Sequence, residues 1–144
     1  MIDRVLDFVK RNSDNWLESP RKDFFKGKSL KAQRFKLSFN PKADRVIFEF
    51  ESGTKLPVEV WRIVEAIDFL KNHGLVQIGG RISEEYPRDS LEGHLKEIAK
   101  AKYGRKKDTK TAPHIADLLV LAGIAKFDHA ISPSGRKVQG VRLL

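Results

Sequence analysis

The spacing of apolar residues changes from helical to strand-like within the first part of the chain. Ile2, Val5, Leu6 and Val9 recur at helical spacing, which predicts an amphipathic helix over residues 2–12. Two later runs alternate apolar and polar residues on either side of turn-forming residues 40–44, and this alternation predicts a β-hairpin with one apolar face on each strand. The apolar positions of the two strands are Phe35, Leu37, Phe39, Val46, Phe48 and Phe50.

The rest of the chain predicts a helix, a short strand, two further helices and a second hairpin, in that order. Residues 52–57 are predicted to be a loop, after which an apolar stripe begins a helix at Pro57 or Val58. The predicted elements are a helix at 58–73, a strand at 75–78, helices at 89–103 and 112–122, and strands at 126–131 and 137–143 joined by a turn at 132–136.

Particular residues mark the predicted ends of these helices. Gly74 and Gly123 each follow a helical stretch, where glycine takes the left-handed conformation at little cost. For the starts, Asp89 together with Glu92 forms a plausible capping pair, and Thr111 is the predicted cap of the next helix.

This order of elements resembles the winged helix, a variant of the helix-turn-helix whose terminal hairpin is called the wing. The resemblance covers residues 57–144 and rests on the order of elements, the glycine stops and the wing hairpin. The predicted fold class is therefore α+β. A winged-helix domain at 57–144 would follow an N-terminal helix and β-hairpin extension at 1–56, and those first residues resemble no family.

The charge of the chain favours a polyanionic partner. The 144 residues carry a formal net charge of +9. Residues 1–56 hold 13 basic and 8 acidic side chains and residues 88–144 hold 12 and 6, whereas residues 57–87 hold 3 and 5. Phosphate backbones are the commonest partners of such basic regions. Double-stranded DNA is the expected partner, with RNA as an alternative that charge does not distinguish.

Composition also limits the chemistry and the compartment. The chain has no cysteine, which excludes disulfides, thiol catalysis and cysteine-ligated metal sites. Its first residues lack the uninterrupted apolar stretch of a secretory signal, and its longest apolar run, residues 118–125, is too short to span a bilayer. We therefore expect an intracellular, cytoplasmic protein without a membrane partner, and association with the nucleoid is an alternative.

Basic residues fall where a winged helix contacts DNA. In that family the second of the two central helices enters the major groove, and its start, with the preceding loop, lies close to phosphates. The wing turn carries cations that typically lie along or in the minor groove. The resemblance therefore implies DNA contacts from Arg105, Lys106, Lys107, Lys110, Thr111, His114, Ser134, Arg136 and Lys137.

The predicted recognition helix carries few side chains that read bases. Asp117 can accept from a cytosine amino group and His114 can donate, whereas base-reading helices usually present Arg, Lys, Asn or Gln. Either this helix packs on the N-terminal segment or on a second subunit, or the wing and the basic loops bind DNA with little sequence preference. A homodimer is therefore an open alternative. On a helical projection its exposed positions are Pro113, His114, Asp117, Val120 and Leu121.

Residues 19–34 form a basic connector that also carries aromatic side chains. Basic residues interleaved with aromatics can hold single strands by base stacking and phosphate contact. Alternatively, the phenylalanines anchor the connector to the core and leave its lysines in solvent. The aromatic residues in and next to the connector are Phe24, Phe25 and Phe35, and a second basic group that would extend a DNA footprint is Lys28, Lys31, Arg34 and Lys36.

Patterns that indicate catalysis are scarce. The 4 histidines, at positions 73, 94, 114 and 129, do not have the short spacing of a zinc-binding helix. Asp44, Glu49 and Glu51 lie near lysines on the first hairpin but lack the spacing of a metal-dependent nuclease core. We predict no catalytic residue, no metal and no cofactor.

The sequence as a whole predicts a non-catalytic protein that binds double-stranded DNA, either a regulator or a DNA-recognition module. Two alternatives remain open besides RNA. A winged helix that binds proteins or dimerises would expose Val120 and Leu121. The DNA-recognition part of a nuclease or restriction system would cluster Asp44, Glu49 and Glu51 around a divalent metal.

Overall fold

The computed structural model describes residues 1–26, 33–79, 89–104 and 109–144. The described residues form five helices and two antiparallel sheets, so the chain is an α+β protein, as predicted. It divides into two compact units, Met1–Val64 and Glu65–Leu144. None of the described helices is long and apolar enough to cross a membrane. The elements are α1 (Ile2–Arg11), β1 (Leu17–Glu18), α2 (Arg21–Phe25), β2 (Arg34–Asn40), β3 (Arg45–Phe50), β4 (Lys55–Glu59), α3 (Val60–His73), β5 (Val76–Gln77), α4 (Leu91–Tyr103), α5 (Ala112–Leu121), β6 (Ala125–Ile131) and β7 (Lys137–Leu143).

An antiparallel sheet in the order β1-β2-β3-β4 forms the centre of the first unit, and α1 packs against β2. β2 and β3 are the hairpin that alternation predicted, with Leu37 opposite Phe48. Phe35 and Phe48 are completely buried and their ring centroids lie 5.3 Å apart. Burial of each such ring contributes about 2 to 3 kcal/mol to stability. The core of this unit also contains Val5, Val9, Leu37, Val46 and Val58.

The prediction of a loop at residues 52–57 was confirmed for residues 52–54 and wrong for residues 55–57, which belong to β4. β4 pairs antiparallel with β3, where Val58 lies opposite Val46, and α3 begins only at Val60. β4 is an edge strand, and an edge strand tolerates Pro57 because one side of its backbone faces no partner strand. The proline and the shortness of the strand concealed the alternation. The described part of the connector also contains a helix, α2, where none was predicted.

A three-stranded antiparallel sheet in the order β5-β7-β6 belongs to the second unit, together with α4 and α5. β6 and β7 are the predicted second hairpin. Gly140 lies in the central strand, opposite Gln77 on one side and Asp128 on the other. A Cβ atom at this position would lie 2.8 Å from the Cβ of Ala130, so the close approach of the strands requires glycine. The core of this unit includes Leu91, Leu95, Ile115, Leu118, Leu119, Phe127 and Val141.

The helix ends agree with the sequence prediction better than the helix starts. Gly74 and Gly123 follow α3 and α5 with φ of +71° and +78°, the left-handed region that favours glycine. At the start of α4 the predicted pair of Asp89 and Glu92 was wrong. Ser90 occupies the capping position instead, and its Oγ accepts a backbone N–H of the first turn at 3.0 Å.

Candidate nucleic-acid interface

The wing of the predicted DNA-binding domain is the tight turn between β6 and β7. The N–H of Ser132 donates to the carbonyl of Arg136 at 2.8 Å, and the N–H of Arg136 donates to Ser132 Oγ at 3.1 Å. Ser132 is only 8% exposed, and its buried hydroxyl stabilises the turn through this hydrogen bond. Gly135 has a φ of +84°, a conformation that glycine supplies without strain. The predicted wing residues Ser134, Arg136 and Lys137 are all exposed on this braced turn.

Two cations that the sequence analysis did not select lie on the same hairpin. Lys126 on β6 and Arg142 on β7 are directly opposite each other, and both are exposed. The salt bridges between described residues include neither of them. Asp128, two residues along the same face, accepts the N–H of His129 at 2.8 Å. Because like charges directly opposite each other destabilise a sheet, a bound anion would relieve this pair. Lys126 and Arg142 are therefore a candidate phosphate site.

A sequence signal for this pair existed. The predicted strands end at residue 131 and restart at residue 137, which places these two residues opposite each other. In an antiparallel pair, each step back along the first strand matches one step forward along the second. Five such steps from the pair 131 and 137 place residue 126 opposite residue 142, as in the structure. Composition alone treats Lys126 and Arg142 as two unrelated surface residues. The turn length, which fixes the register, is what reveals them as a pair.

The start of α5 is occupied by an internal carboxylate. Glu92 is only 3% exposed, and its Oε2 accepts the N–H of Ala112, the first residue of α5, at 2.7 Å. The next residue, Pro113, has no N–H to offer. Thr111 precedes the helix as predicted, but its hydroxyl makes no capping hydrogen bond. The first two positions of α5 therefore offer no free backbone N–H to a DNA phosphate, because the buried Glu92 side chain already accepts the N–H of Ala112.

The other predicted contacts around α5 differ in accessibility. Lys110 is exposed and His114 is half-buried, but Thr111 is only 2% exposed and Asp117 is completely buried. We therefore withdraw the proposed DNA contact of Thr111 and the proposed base contact of Asp117. The structure thus offers a limited set of base-reading side chains on α5. The predicted contacts Arg105, Lys106, Lys107, Lys28 and Lys31 lie outside the described residues.

The apolar character of α5 is explained by its burial. Most of its apolar side chains are buried within the single chain, so no second subunit is needed to cover them. Val120 and Leu121 are half-buried rather than exposed. The exposure that would have favoured a protein-binding helix is thus only partial. The buried residues of α5 are Ala112, Ile115, Ala116, Asp117, Leu118 and Leu119.

In the first unit, the secondary basic residues Arg34 and Lys36 lie beside an exposed tryptophan. The guanidinium of Arg34 lies 5.6 Å and the ammonium of Lys36 lies 4.7 Å from the centroid of the Trp16 ring. Phe35, between these two cations in sequence, points to the opposite face and is completely buried. Phe35 is therefore excluded as a stacking residue. Phe24, in contrast, is 44% exposed.

The carboxylates of the nuclease alternative do not form one cluster. Glu49 lies 3.6 Å from the ammonium of Lys55, and Glu51 lies 3.8 Å from the guanidinium of Arg34. Asp44 precedes the other end of β3, roughly 16 Å from Glu49 at the usual rise of a strand. Among the described residues, no group of three or more His, Asp or Glu side chains could hold a metal ion.

The chain is expected not to cleave DNA when Mg²⁺ or Mn²⁺ is added, because two of these carboxylates lie beside cations and the third is distant. Incubation of supercoiled plasmid with the purified protein and each metal measures this. Cleavage that requires the metal and disappears on Glu49→Ala or Glu51→Ala would overturn the prediction and restore the nuclease alternative.

Exposed cations of the second unit lie on the β6–β7 hairpin and just before α5, and exposed lysines also lie on α3 and α4. The hairpin carries two at its tip, Arg136 and Lys137, and two on its strands, Lys126 and Arg142. Lys137 and Arg142 are separated by roughly 17 Å along β7, so the hairpin can contact more than one phosphate.

Comparison of the chain with protein-family models, with curated proteins and with solved structures gives no match.

Proposed function

We propose that the chain is a non-catalytic protein that binds double-stranded DNA through a winged-helix domain at residues 57–144. The order α3, β5, α4, α5, β6, β7 supports the resemblance, as does the joining of the short strand β5 to the hairpin in one sheet. The observation that carries the proposal is the exposed, like-charged pair of Lys126 and Arg142 on the same hairpin as the wing cations. A regulator and a DNA-recognition module of a larger system both fit this proposal. Either would act in the cytoplasm, and association with the nucleoid is an alternative.

The proposed contact is electrostatic rather than base-specific. Cations on a wing and its strands neutralise phosphates, which releases condensed counterions and makes binding depend steeply on salt. Base readout through α5 is limited, because Asp117 is buried and Glu92 occupies the helix start. We therefore propose modest sequence preference and an affinity that falls with salt as expected for roughly four to seven phosphate contacts.

The wing cations provide the direct test of this proposal. Arg136→Ala with Lys137→Ala should weaken duplex binding about 10- to 60-fold near 0.1 M salt and reduce the salt slope by about two. Thermal stability should not change, because both side chains are exposed on the turn. Fluorescence anisotropy of a labelled duplex across a salt series measures the affinity and the slope together.

A matched control removes the same charge elsewhere. Lys42→Ala with Arg45→Ala also deletes two exposed cations, but from the hairpin of the first unit. If this control weakens binding as much as the wing variant, net charge and not the wing determines affinity. Undetectable duplex binding by the wild type at low salt would exclude the DNA proposal. A duplex RNA of the same length, measured in the same series, decides between the two nucleic acids.

A further inference from the structure

Trp16 is a large aromatic residue on the surface of the first unit, next to two cations. It is 40% exposed, whereas Phe35 and Phe48 on the other face of the sheet are completely buried. Leu17 pairs with Phe35 and Glu18 with Arg34, so continuing this register places Trp16 opposite Lys36. The indole therefore lies on the outer side of β2, over the side chains that alternate with the buried positions.

The two cations approach the indole from the strand beneath it. Arg34 and Lys36 are two residues apart on β2 and so project to the same face. Their charged groups lie 5.6 Å and 4.7 Å from the ring centroid, within the range of a cation–π contact. Trp16 still keeps 40% of its surface exposed beside these two cations. An exposed π-surface and two positive charges therefore lie together on this side of the sheet.

Both cations can also interact with a ligand. Among the described residues, no salt bridge includes Lys36. Arg34 is paired with Glu51 at 3.8 Å, but the two side chains are 48% and 55% exposed. A solvent-exposed pair of this kind contributes little, so a phosphate can replace the carboxylate at small cost.

We propose that Trp16, Arg34 and Lys36 form a binding site for single-stranded nucleic acid, separate from the duplex contact of the wing. A base stacks on the exposed ring of Trp16, and Arg34 and Lys36 contact the adjoining phosphates. An unpaired strand is the matching ligand because its bases are free to stack, whereas the bases of a duplex are already stacked on each other. The buried Phe35 takes no part in this contact.

Tryptophan fluorescence and strand affinity test the site directly. Oligo(dT) and oligo(U) of about 12 nucleotides should quench the emission of the wild-type protein, since a base stacks on Trp16. Trp16→Leu should weaken binding of both strands about 5- to 100-fold and remove that quench, and Trp16→Phe should weaken it less because a ring remains. Oligo(dT) against oligo(U) shows whether the site prefers DNA or RNA.

Controls separate this site from the duplex proposal and from Trp61. Trp61 donates to Glu59 at 2.6 Å, and Trp61→Phe should leave the strand-dependent quench in place. Duplex affinity should be unchanged in Trp16→Leu, so each proposal can fail without the other. Lys36→Gln should lower the salt slope of strand binding by about one while leaving the ring intact. A wild-type protein whose emission does not respond to either strand would overturn the proposal, as would Trp16→Leu with unaltered strand affinity.

Discussion

Replacement of Glu92 by alanine is expected to lower the free energy of unfolding by about 2 to 3 kcal/mol. The variant removes a charge-assisted hydrogen bond of 2.7 Å to the N–H of Ala112 and leaves that amide without its acceptor. It also removes a negative charge from the start of a helix, where the dipole stabilises it. The effect should reach the core, because α5 supplies the completely buried Ile115 and Leu118. Equilibrium denaturation in urea measures the change.

A conservative variant and an exposed neighbour show whether the contact is responsible. Glu92→Gln keeps an oxygen acceptor and should lose less stability than Glu92→Ala, because the hydrogen bond survives without its charge. Glu97→Ala removes an exposed carboxylate from the same helix and should change stability by no more than about 0.5 kcal/mol. If Glu92→Ala is no more destabilising than Glu97→Ala, the carboxylate does not hold the start of α5.

Much of the fold was predictable because local patterns specify it. Alternation identified the first hairpin, and the second, predicted with its turn at residues 132–136, was placed to within one residue at each strand end. Glycines at positions 74 and 123 marked helix ends because few other residues adopt the left-handed conformation. The edge strand β4 was missed because Pro57 is typical of a loop, and only its position at the edge of a sheet permits it in a strand.

The parts of the site that the sequence did not predict depend on distant partners. Glu92 caps a helix that begins 20 residues later, and no local motif connects the two. The burial of Asp117 could not be predicted either. α5 is apolar on nearly every side, so a helical projection of its sequence does not show which side faces solvent. Trp16 stood outside the predicted elements, and only its pairing beside β2 brings it to Arg34 and Lys36.

Lys126→Glu is expected to change stability and DNA binding in opposite directions. The substitution converts two opposed cations into an opposite-charge pair with Arg142, which should raise the free energy of unfolding by about 0.2 to 1 kcal/mol. The same change places a negative charge on the surface proposed to face phosphates. Duplex affinity should fall at least about 10-fold near 0.1 M salt, since one phosphate contact is lost and repulsion is added. Urea denaturation and anisotropy of a labelled duplex measure the two effects.

The effect of the interaction between Lys126 and Arg142 has to be distinguished from the effect of the protein's net charge. In an Arg142→Ala background, Lys126→Glu should no longer stabilise the protein, because the partner cation is absent. Lys42→Glu makes the same charge change on an exposed turn of the first unit and should leave duplex affinity much less affected. A protein that becomes more stable but binds the duplex as tightly as before would confine Lys126 and Arg142 to a structural role. Equal losses of affinity in Lys126→Glu and Lys42→Glu would instead assign binding to net charge and remove the β6–β7 hairpin as the contact surface.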